Sequence, residues 1–175
     1  MPVPIHVAVG ANHKSAPLDL REQIFVSRDE TPAFYEILKG RGFHDALLLS
    51  TCDRLEVHAT HESPAVAIGV LRDLLASRAV ASDIGERIYA LTGRAAMRQL
   101  FAIAASLDSL VVGEPQVLGQ LKESHRRAVA SGMMGRTLER RLQAVYGAAK
   151  RVRNETRIGE RPVSIASAAV EVARD

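Results

Sequence analysis

The chain has 175 residues, of which 47% are hydrophobic and 25% are charged, with a formal net charge of +3 and a single cysteine. That length suits one domain, or one domain with the beginning of another, and the apolar share excludes a wholly disordered protein. One cysteine excludes an internal disulfide framework, no Cys/His cluster has zinc spacing, and no apolar run or signal-peptide pattern indicates a membrane. We therefore predict a soluble, cytoplasmic protein that binds no metal.

The first ninety residues alternate between strand and helix patterns. In chain order they predict a strand, a helix, two strands, a helix and a strand: Val3–Gly10, Ser27–Lys39, Ala46–Leu49, Leu55–Thr60, Ala65–Arg78 and Glu86–Leu91. Ser27 and Glu30 have the spacing of a capping box, and Val66, Val70, Leu74 and Leu75 form the apolar stripe of the second helix. The order β-α-β-β-α-β predicts an α+β fold with a ferredoxin-like, split βαβ sheet.

After Gly93 the sequence pattern becomes helical. It predicts helices and a loop over the ranges Arg94–Leu107, Asp108–Pro115 (the loop), Gln116–Ala130, Met133–Thr156 and Pro162–Asp175. The segment from Leu121 to Arg161 holds 11 Lys or Arg against 4 Asp or Glu, which suggests a polyanionic partner. In the long helix four cations lie opposite the apolar stripe, namely Arg136, Arg140, Lys150 and Arg151. This face is predicted either to bind nucleic acid or to be only a solvated surface.

Cys52 lies in a turn between two predicted strands, within Ser50–Glu56. A lone cysteine is most often an inert core residue, but a turn lets the side chain reach solvent, where a thiolate can attack a carbonyl. Arg54 could stabilise that thiolate, and Thr51 with the turn amides could donate hydrogen bonds to an oxyanion. Asp53 opposes this role because a neighbouring negative charge disfavours a thiolate. Both interpretations stay open, and we predict an accessible thiol.

A second group of hydrogen-bonding side chains lies in the segment Leu107–Gln120. Gln116 and Gln120 are one helical turn apart on one face, while Glu114 and Pro115 are also ordinary signals of a helix start. The segment therefore predicts either a binding site or helix capping. The histidines lack metal-ligand spacing and are each expected at the surface, namely His13, His44, His58, His61 and His125.

Four segments together resemble glutamyl-tRNA reductase: the loop Asn12–Pro17, the run Ser50–Glu56, the segment Leu107–Gln120 and the tail Arg153–Glu171. The resemblance implies the N-terminal catalytic domain of that family over residues 1–157. It also implies that residues 158–175 are a linker and first helix leading to an NADPH-binding domain that this sequence lacks, as it lacks the family's dimerisation domain. We expect the isolated chain to be monomeric, to bind no NADPH itself, and the full-length enzyme to be a homodimer.

The resemblance also implies roles for individual residues. Cys52 matches the nucleophile that displaces tRNA from glutamyl-tRNA(Glu) as a thioester, which NADPH reduces to glutamate-1-semialdehyde for tetrapyrrole synthesis. The matching substrate-binding positions are Thr51, Asp53, Arg54, Ser109, Glu114, Pro115, Gln116 and Gln120. The downstream aminomutase is a further expected partner.

Two positions depart from the family pattern. Asp53 stands where the family usually has Asn, which adds a charge beside Cys52. Gln99 stands where the family usually has a histidine considered important for activity, and an amide cannot exchange a proton near neutral pH. The alternative prediction is therefore a catalytically weakened module that binds glutamyl-tRNA or a regulatory partner.

Overall fold

The computed structural model describes residues 3–80 and 83–159, which form an antiparallel sheet covered by helices. The sheet has four strands: β1 (Ile5–Asn12), β2 (Ala46–Ser50), β3 (Arg54–His61) and β4 (Tyr89–Thr92). Within the described residues the helices are α1 (Leu18–Ile24), α2 (Thr31–Gly40), α3 (Pro64–Ala76), α4 (Ile84–Arg87), α5 (Gly93–Ala104), α6 (Gln116–Ala130), α7 (Arg136–Glu155) and a 3₁₀ turn (Arg157–Gly159).

The sheet has the strand order β2-β3-β1-β4, and every neighbouring pair is antiparallel. Strands β1 and β2 are separated by β3, so the helix-containing connection between them spans one intervening strand. This is the split βαβ arrangement, and the predicted fold is confirmed. The predicted α-helical segment after β4 is also confirmed, as α5, α6 and α7.

Several predicted boundaries were wrong. The first strand begins at Ile5 and extends to Asn12, and the last strand begins only at Tyr89, after the short helix α4. Helix α1 was missed altogether. Ser27 and Glu30 do exchange the hydrogen bonds of a capping box, with 2.8 Å from the Ser27 amide to Oε2 of Glu30, but the regular helix begins at Thr31.

The apolar stripe predicted for α7 agrees with the structure better than the one predicted for α3. In α7, Leu138, Leu142, Val145 and Ala149 are buried as predicted, whereas Val152, the fifth residue of the predicted stripe, is only half-buried. In α3 the buried residues are Ala67, Leu71, Leu74 and Leu75, whereas Val66 is 56% exposed. The stripe of α3 is therefore rotated from its predicted position, because Val66 lies toward the outer side of the helix and Val70 is only half-buried against the edge of the core.

The two faces of the sheet carry different chemistry, and both are buried. One face bears aliphatic side chains of β1 and β3, such as Val9 and its partner Val57. The other face bears the alternate residues of β3, namely Arg54, Glu56, His58 and Thr60, each no more than 8% exposed. Helix α5 covers this polar face, since Gln99 hydrogen-bonds to Glu56, and α7 lies beside it, since the Leu138 amide donates to Asp45, which accepts from Thr60. Helix α6 packs against β2. The prediction that His58 lies at the surface was wrong.

Asp45 joins the sheet to the second helical layer, which consists of α5, α6 and α7. Its buried carboxylate accepts hydrogen bonds from the Thr60 hydroxyl at 2.8 Å and from the amides of Gly135 and Leu138 at 2.9 and 3.1 Å. The carboxylate therefore satisfies amides that the first turn of α7 leaves without intrahelical partners, and its charge is favourable at a helix N-terminus. This contact fixes where α7 crosses the polar face.

Gly10 allows β1 and β3 to approach closely in the centre of the sheet. A Cβ atom at this position would lie 2.2 Å from the Leu55 carbonyl oxygen and 2.6 Å from the Glu56 Cα. Both are backbone atoms, so no side-chain rotation could relieve the overlap. Glycine is therefore required opposite Glu56.

The described part of the chain contains no helix long and apolar enough to span a membrane. Within the same residues no group of three or more His, Cys, Asp or Glu is placed to hold a metal ion. The helix predicted over Pro162–Asp175 lies outside the described residues, as does most of the predicted segment 158–175.

Candidate active site

Cys52 lies at the tip of the turn between β2 and β3 and is exposed, so the predicted accessibility of the thiol is confirmed. The turn is short because Thr51 and Arg54 close it with a hydrogen bond of 2.8 Å from the Thr51 amide to the Arg54 carbonyl. Two strands that end in the core thus hold a reactive side chain at the surface. A turn supported on both sides by a sheet is a rigid platform for a nucleophile.

Helix α1 forms one wall of a cavity beside Cys52. The cavity has a volume of about 290 Å³ and is lined by Leu18, Arg21, Glu22, Phe25, Thr51 and Cys52. Arg21 reaches across it and donates a hydrogen bond of 2.5 Å to the Cys52 carbonyl oxygen. The cavity therefore offers apolar surface for an aliphatic chain and a guanidinium for a carboxylate, next to the thiol.

Most of the turn amides are already used. The Thr51 hydroxyl oxygen accepts hydrogen bonds from the amides of Asp53 and Arg54 at 3.2 and 3.3 Å. The idea that the turn amides as a group could stabilise an oxyanion was therefore wrong for these two. Among the described residues of the turn, the Thr51 hydroxyl hydrogen and the Cys52 amide remain as donors to an oxyanion.

Arg54 points into the protein rather than toward Cys52, and its side chain is 2% exposed. Its guanidinium donates to the Asp108 carboxylate at 2.9 Å and to Asp53 at 3.2 Å, and it also donates to the Asp108 carbonyl oxygen. Burial alone would lower the pKa of Arg54, but Glu56 and Asp108 outweigh burial and raise it. The predicted contact of Arg54 with a substrate carboxylate stays a prediction, since Asp108 occupies that position here.

Asp108 connects three segments that are far apart in the sequence. One carboxylate oxygen accepts from Lys14 of the loop after β1 at 2.5 Å, and the other accepts from Arg54 of β3 and from Gln99 of α5 at 2.8 Å. Burial raises the pKa of Asp108, but these three donors outweigh it and lower the pKa to about 2. Asp108 is therefore a permanent anion that joins its own segment Leu107–Gln120 to the loop Asn12–Pro17, the run Ser50–Glu56 and helix α5.

Glu56 is the centre of a fully buried polar chain on the same face. Its carboxylate accepts from the Tyr89 hydroxyl, lies 2.7 Å from Nε2 of His58 and 3.5 Å from the Arg54 guanidinium. Burial raises the pKa of Glu56, but His58, Tyr89 and Arg54 outweigh burial and lower it. Nδ1 of His58 lies 2.9 Å from Nε2 of His6 on β1, so the chain continues across the sheet.

Gln99 acts as a donor within this network. Its amide nitrogen lies 2.8 Å from the Asp108 carboxylate and 3.4 Å from Glu56. The side chain thus bridges the two anions of the polar face, where a proton-exchanging histidine is expected in the family. An amide can supply this bridge but cannot transfer a proton near neutral pH.

Asp53, beside the thiol, has one carboxylate oxygen in a hydrogen bond and the other close to a histidine ring without hydrogen-bond geometry. Oδ1 lies 2.7 Å from Nδ1 of His13, and Oδ2 accepts from Arg54. The His13 amide also donates to the Asp53 carbonyl at 3.1 Å, so the loop after β1 continues the pairing of β1 with β3. The negative charge next to Cys52 is therefore balanced by neighbouring cationic or hydrogen-bonding groups rather than left free.

The predicted residues of the second motif lie in the loop before α6 and in its first turn. The Ser109 hydroxyl oxygen is buried and has no hydrogen-bond partner in the described part of the chain, which leaves it available to a ligand. Glu114 accepts from the Ser106 hydroxyl through its carbonyl oxygen, while Pro115 and Gln116 are exposed at the start of α6.

Gln120 lies nearer to Cys52 than its sequence position suggests. It lines a polar cavity of about 390 Å³ with Ser50, Arg28 and Phe25, and Phe25 also lines the cavity of the thiol. The structure therefore brings Gln120 beside the Cys52 cavity. Ser109 shares a loop with Asp108, which holds Arg54.

Sequence reasoning missed Arg21, Glu56 and Asp108 as site residues. Arg21 could have been found from α1, because Pro17 followed by Leu20 and Ile24 four residues apart is a helix signal. Glu56 and Asp108 lie within two of the segments that carry the family resemblance, but only the fold shows that both are buried against Arg54.

Comparisons with known proteins agree with this geometry. The family model of the glutamyl-tRNA(Glu) reductase N-terminal domain matches residues 9–156. The glutamyl-tRNA reductases of Syntrophotalea carbinolica and Rhodospirillum rubrum are 41% and 40% identical to the chain, over 96% and 97% of its length but only 39% and 40% of theirs. The solved structure of glutamyl-tRNA reductase from Methanopyrus kandleri superposes with a TM-score of 0.79 at 34% identity, covering 96% of this chain and 39% of that one. The chain spans about two fifths of the length of these relatives, and it belongs to the family of glutamyl-tRNA reductase N-terminal domains.

Proposed function

We propose that this chain is the thioester-forming part of a glutamyl-tRNA(Glu) reductase in tetrapyrrole synthesis. The Cys52 thiolate attacks the ester carbonyl of glutamyl-tRNA, a carbon–sulfur bond forms and the bond from that carbon to the ribose oxygen breaks. The proton lost by the thiol ends on the ribose oxygen, so tRNA leaves with its terminal hydroxyl restored. The glutamyl group stays on Cys52 as a thioester.

One observation carries this proposal: an exposed thiol at the edge of a cavity that combines apolar walls with Arg21. A glutamyl side chain has two methylene groups, which match the apolar walls, and a carboxylate, which matches Arg21 but not Glu22, the acidic residue of the lining. We assign the carboxylate to Arg21, whose guanidinium already lies at the Cys52 backbone. The predicted roles of Thr51, Asp53 and Gln120 fit the same location.

The buried network behind the turn positions the thiol rather than reacting with the substrate. Asp108 fixes Arg54 and Lys14, and Arg54 fixes Asp53 beside Cys52. Ser109 offers its unpaired hydroxyl on the same loop. The remaining predicted substrate contacts, those of Arg54, Glu114, Pro115 and Gln116, stay predictions.

NADPH is implied by the family, but the described residues do not fit it. Over residues 3–80 and 83–159 the sheet is antiparallel, and no glycine-rich turn joins a strand to a helix in the way that cradles a dinucleotide. We therefore derive no hydride transfer from these residues. This chain is proposed to form the thioester on Cys52 and then to hydrolyse it slowly, while reduction to glutamate-1-semialdehyde belongs to the whole enzyme.

The proposal is tested with tRNA carrying radiolabelled glutamate. The chain should retain label after acid precipitation, hydroxylamine should release it, and Cys52→Ala should retain none. His44→Ala is the matched control, because His44 is exposed and lines a cavity at the other end of β2. Equal labelling of Cys52→Ala and the unsubstituted chain would contradict the proposal.

Gln99 supports one alternative, in which the chain binds glutamyl-tRNA or a regulatory partner with weakened chemistry. In that case glutamyl-tRNA binds but no label is transferred, and Gln99→His is the variant to test for a gain of transfer. The network leaves Gln99 bonded to Asp108 and Glu56, so the histidine would meet the same two acceptors.

The proposed partners follow from the same reaction. We propose a cytoplasmic location because the substrate is a tRNA, and transfer to the downstream aminomutase because the aldehyde product is reactive. The full-length enzyme is proposed to be a homodimer through its dimerisation domain and the present chain to be a monomer, which light scattering tests.

A further inference from the structure

A basic cavity lies at the start of α7, separate from the cavity of Cys52. It has a volume of about 600 Å³, and its lining consists of Val3, Met97, Arg136, Thr137, Arg140, Arg141 and Ala144. Three of these seven residues are arginines, and none is acidic. We call this region the arginine cavity.

The arginines of this cavity are not neutralised within the described part of the chain. Arg136, Arg140 and Arg141 have no carboxylate within 4.0 Å among residues 3–80 and 83–159. The nearby acid on the helix, Glu139, lies instead against His125 and Gln143 on another side of α7. The cavity therefore concentrates about three positive charges on one small concave surface.

The positive charge of Arg141 is destabilised by the surroundings of its guanidinium. Its Nη1 is buried without a hydrogen-bond partner in the described residues, and its Nη2 makes only a long bond of 3.4 Å to the Pro4 carbonyl. Burial lowers the pKa of Arg141, and the charge of Asp45 only partly opposes that effect. A half-buried guanidinium whose buried Nη1 has unused donors is stabilised by an anion that enters the cavity.

Phosphate is the anion that this arrangement fits. Guanidinium groups bind phosphate oxygens through paired N–H donors, and three of them suit a ligand with several phosphates. Resting on the proposed function, we infer that the arginine cavity binds backbone phosphates of the RNA part of the substrate, away from the reacting ester.

The position of the cavity supports a polymer rather than a small anion as the ligand. Arg141 bonds to Pro4, just before β1, whereas Cys52 is next to the loop that follows Asn12 at the other end of β1. Eight residues of extended strand separate these ends by about 25 Å. One aminoacyl nucleotide cannot span that distance, but an RNA stem whose end enters the Cys52 cavity can.

The arginine cavity includes only part of the basic face that was predicted from the sequence. Arg151 is paired with Glu155 at 3.0 Å, and neither it nor Lys150 lines the arginine cavity. Arg141, which the helical pattern did not place on that face, does line it. RNA contact is therefore assigned to Arg136, Arg140 and Arg141 and not to the later half of α7.

The test measures binding of deacylated tRNA(Glu) to the chain by fluorescence anisotropy at several salt concentrations. Arg140→Gln, at an exposed position, should weaken binding and lower the slope of log affinity against log salt by about 0.9 for one lost phosphate contact. Arg136→Gln should act in the same direction. Arg151→Gln on the same helix is the matched control and should leave affinity and slope unchanged.

Several results would overturn the inference. These are the absence of tRNA binding, an unchanged slope in Arg140→Gln and Arg136→Gln, and an equal loss in Arg151→Gln. Calorimetry with inorganic phosphate distinguishes a free anion from an RNA backbone as the ligand. If Arg140→Gln abolishes phosphate binding but leaves RNA affinity unchanged, the cavity is a free-anion site and not an RNA site. Cys52→Ala should bind RNA normally, so a failure of acylation is distinguishable from a failure of this site.

Discussion

The two faces of the sheet are equally buried but are held by different forces. The face with Val9 and Val57 is stabilised by removal of apolar surface from water, which is non-directional and tolerates exchange of similar side chains. The face with Arg54, Glu56 and His58 is held by charges whose partners must all be present. Buried ion pairs add little net stability when complete, but removal of one partner is costly.

The difference shows how a small domain separates stability from chemistry. The polar face leads at one end to the Cys52 turn through Arg54 and Asp53, while the apolar face has no such connection. Damage to the apolar face should reduce stability alone. Damage to the polar face should reduce stability and also disturb the thiol.

The largest effect is expected from Glu56→Ala on the polar face. The substitution leaves Arg54 and His58 buried without their shared carboxylate, so we expect a loss of about 3–5 kcal/mol in the free energy of unfolding. Urea denaturation measures this loss, and the rate of Cys52 alkylation under native conditions should change as well. A loss below about 1 kcal/mol, with the alkylation rate unchanged, would contradict the difference between the faces.

Leu71→Ala provides the corresponding test at the apolar layer. Leu71 is fully buried in α3, which packs on β1, and truncation to alanine is expected to cost about 2–4 kcal/mol through lost burial and a residual cavity. Below the unfolding transition, Cys52 alkylation and glutamate transfer should stay at the values of the unsubstituted chain. A selective loss of transfer in the folded variant would show that the two faces are coupled.

The pH dependence of stability tests the His6 end of the polar chain. Burial, then the nearby His58 and Arg141, lower the pKa of His6 from 6.5 to about 2. The unfolded chain therefore binds a proton below pH 6.5 that the folded chain does not, and stability should fall with decreasing pH by up to about 1.4 kcal/mol per unit. This loss is complete only when the pH reaches about 2, the folded pKa.

Urea midpoints between pH 7 and pH 5 measure the His6 contribution before the carboxylates titrate. His6→Gln should flatten the dependence, and His44→Gln, at an exposed position, should not. An identical slope in His6→Gln would show that another group causes the acid sensitivity.

The smallest effect is expected from Val66→Ser. Val66 belongs to the apolar stripe predicted from the sequence, but it is 56% exposed in α3. We expect a change in the free energy of unfolding within about 0.5 kcal/mol. A loss comparable with that of Leu71→Ala would mean that Val66 is covered in solution.

The order of strands and helices was predictable because hydrophobic periodicity and glycine breaks mark it directly. The bounds of α6 match the prediction, since Pro115 precedes its first turn and Ser131–Gly132 follows its last. Helix α1 was missed because seven residues give less than two turns of periodicity. The fourth strand was predicted to start too early because α4 is only four residues long.

The site was only half predictable, for a different reason. The polar turn that exposes Cys52 can be found from its neighbouring residues. The buried polar side chains of β3 cannot, because their alternation with apolar residues is the ordinary pattern of a strand with one face in solvent. Only the second helical layer, fixed by Asp45, converts Glu56 and His58 into buried groups. That layer is formed by α5, α6 and α7, which begin only at Gly93, so no local pattern of β3 contains it.

Gly10 also limits the alternative ways in which β1 could align with β3. A slip of one residue would exchange the two faces and is excluded by burial, but a slip of two residues keeps each side chain on its own face. Such a slip would bring Ala8 or Asn12 opposite Glu56, where a Cβ would lie within 2.6 Å of backbone atoms. The absence of a side chain at Gly10 therefore determines the register of β1 against β3. Among the registers that keep each side chain on its own face, it allows the one in which His13 lies against Asp53 beside the thiol.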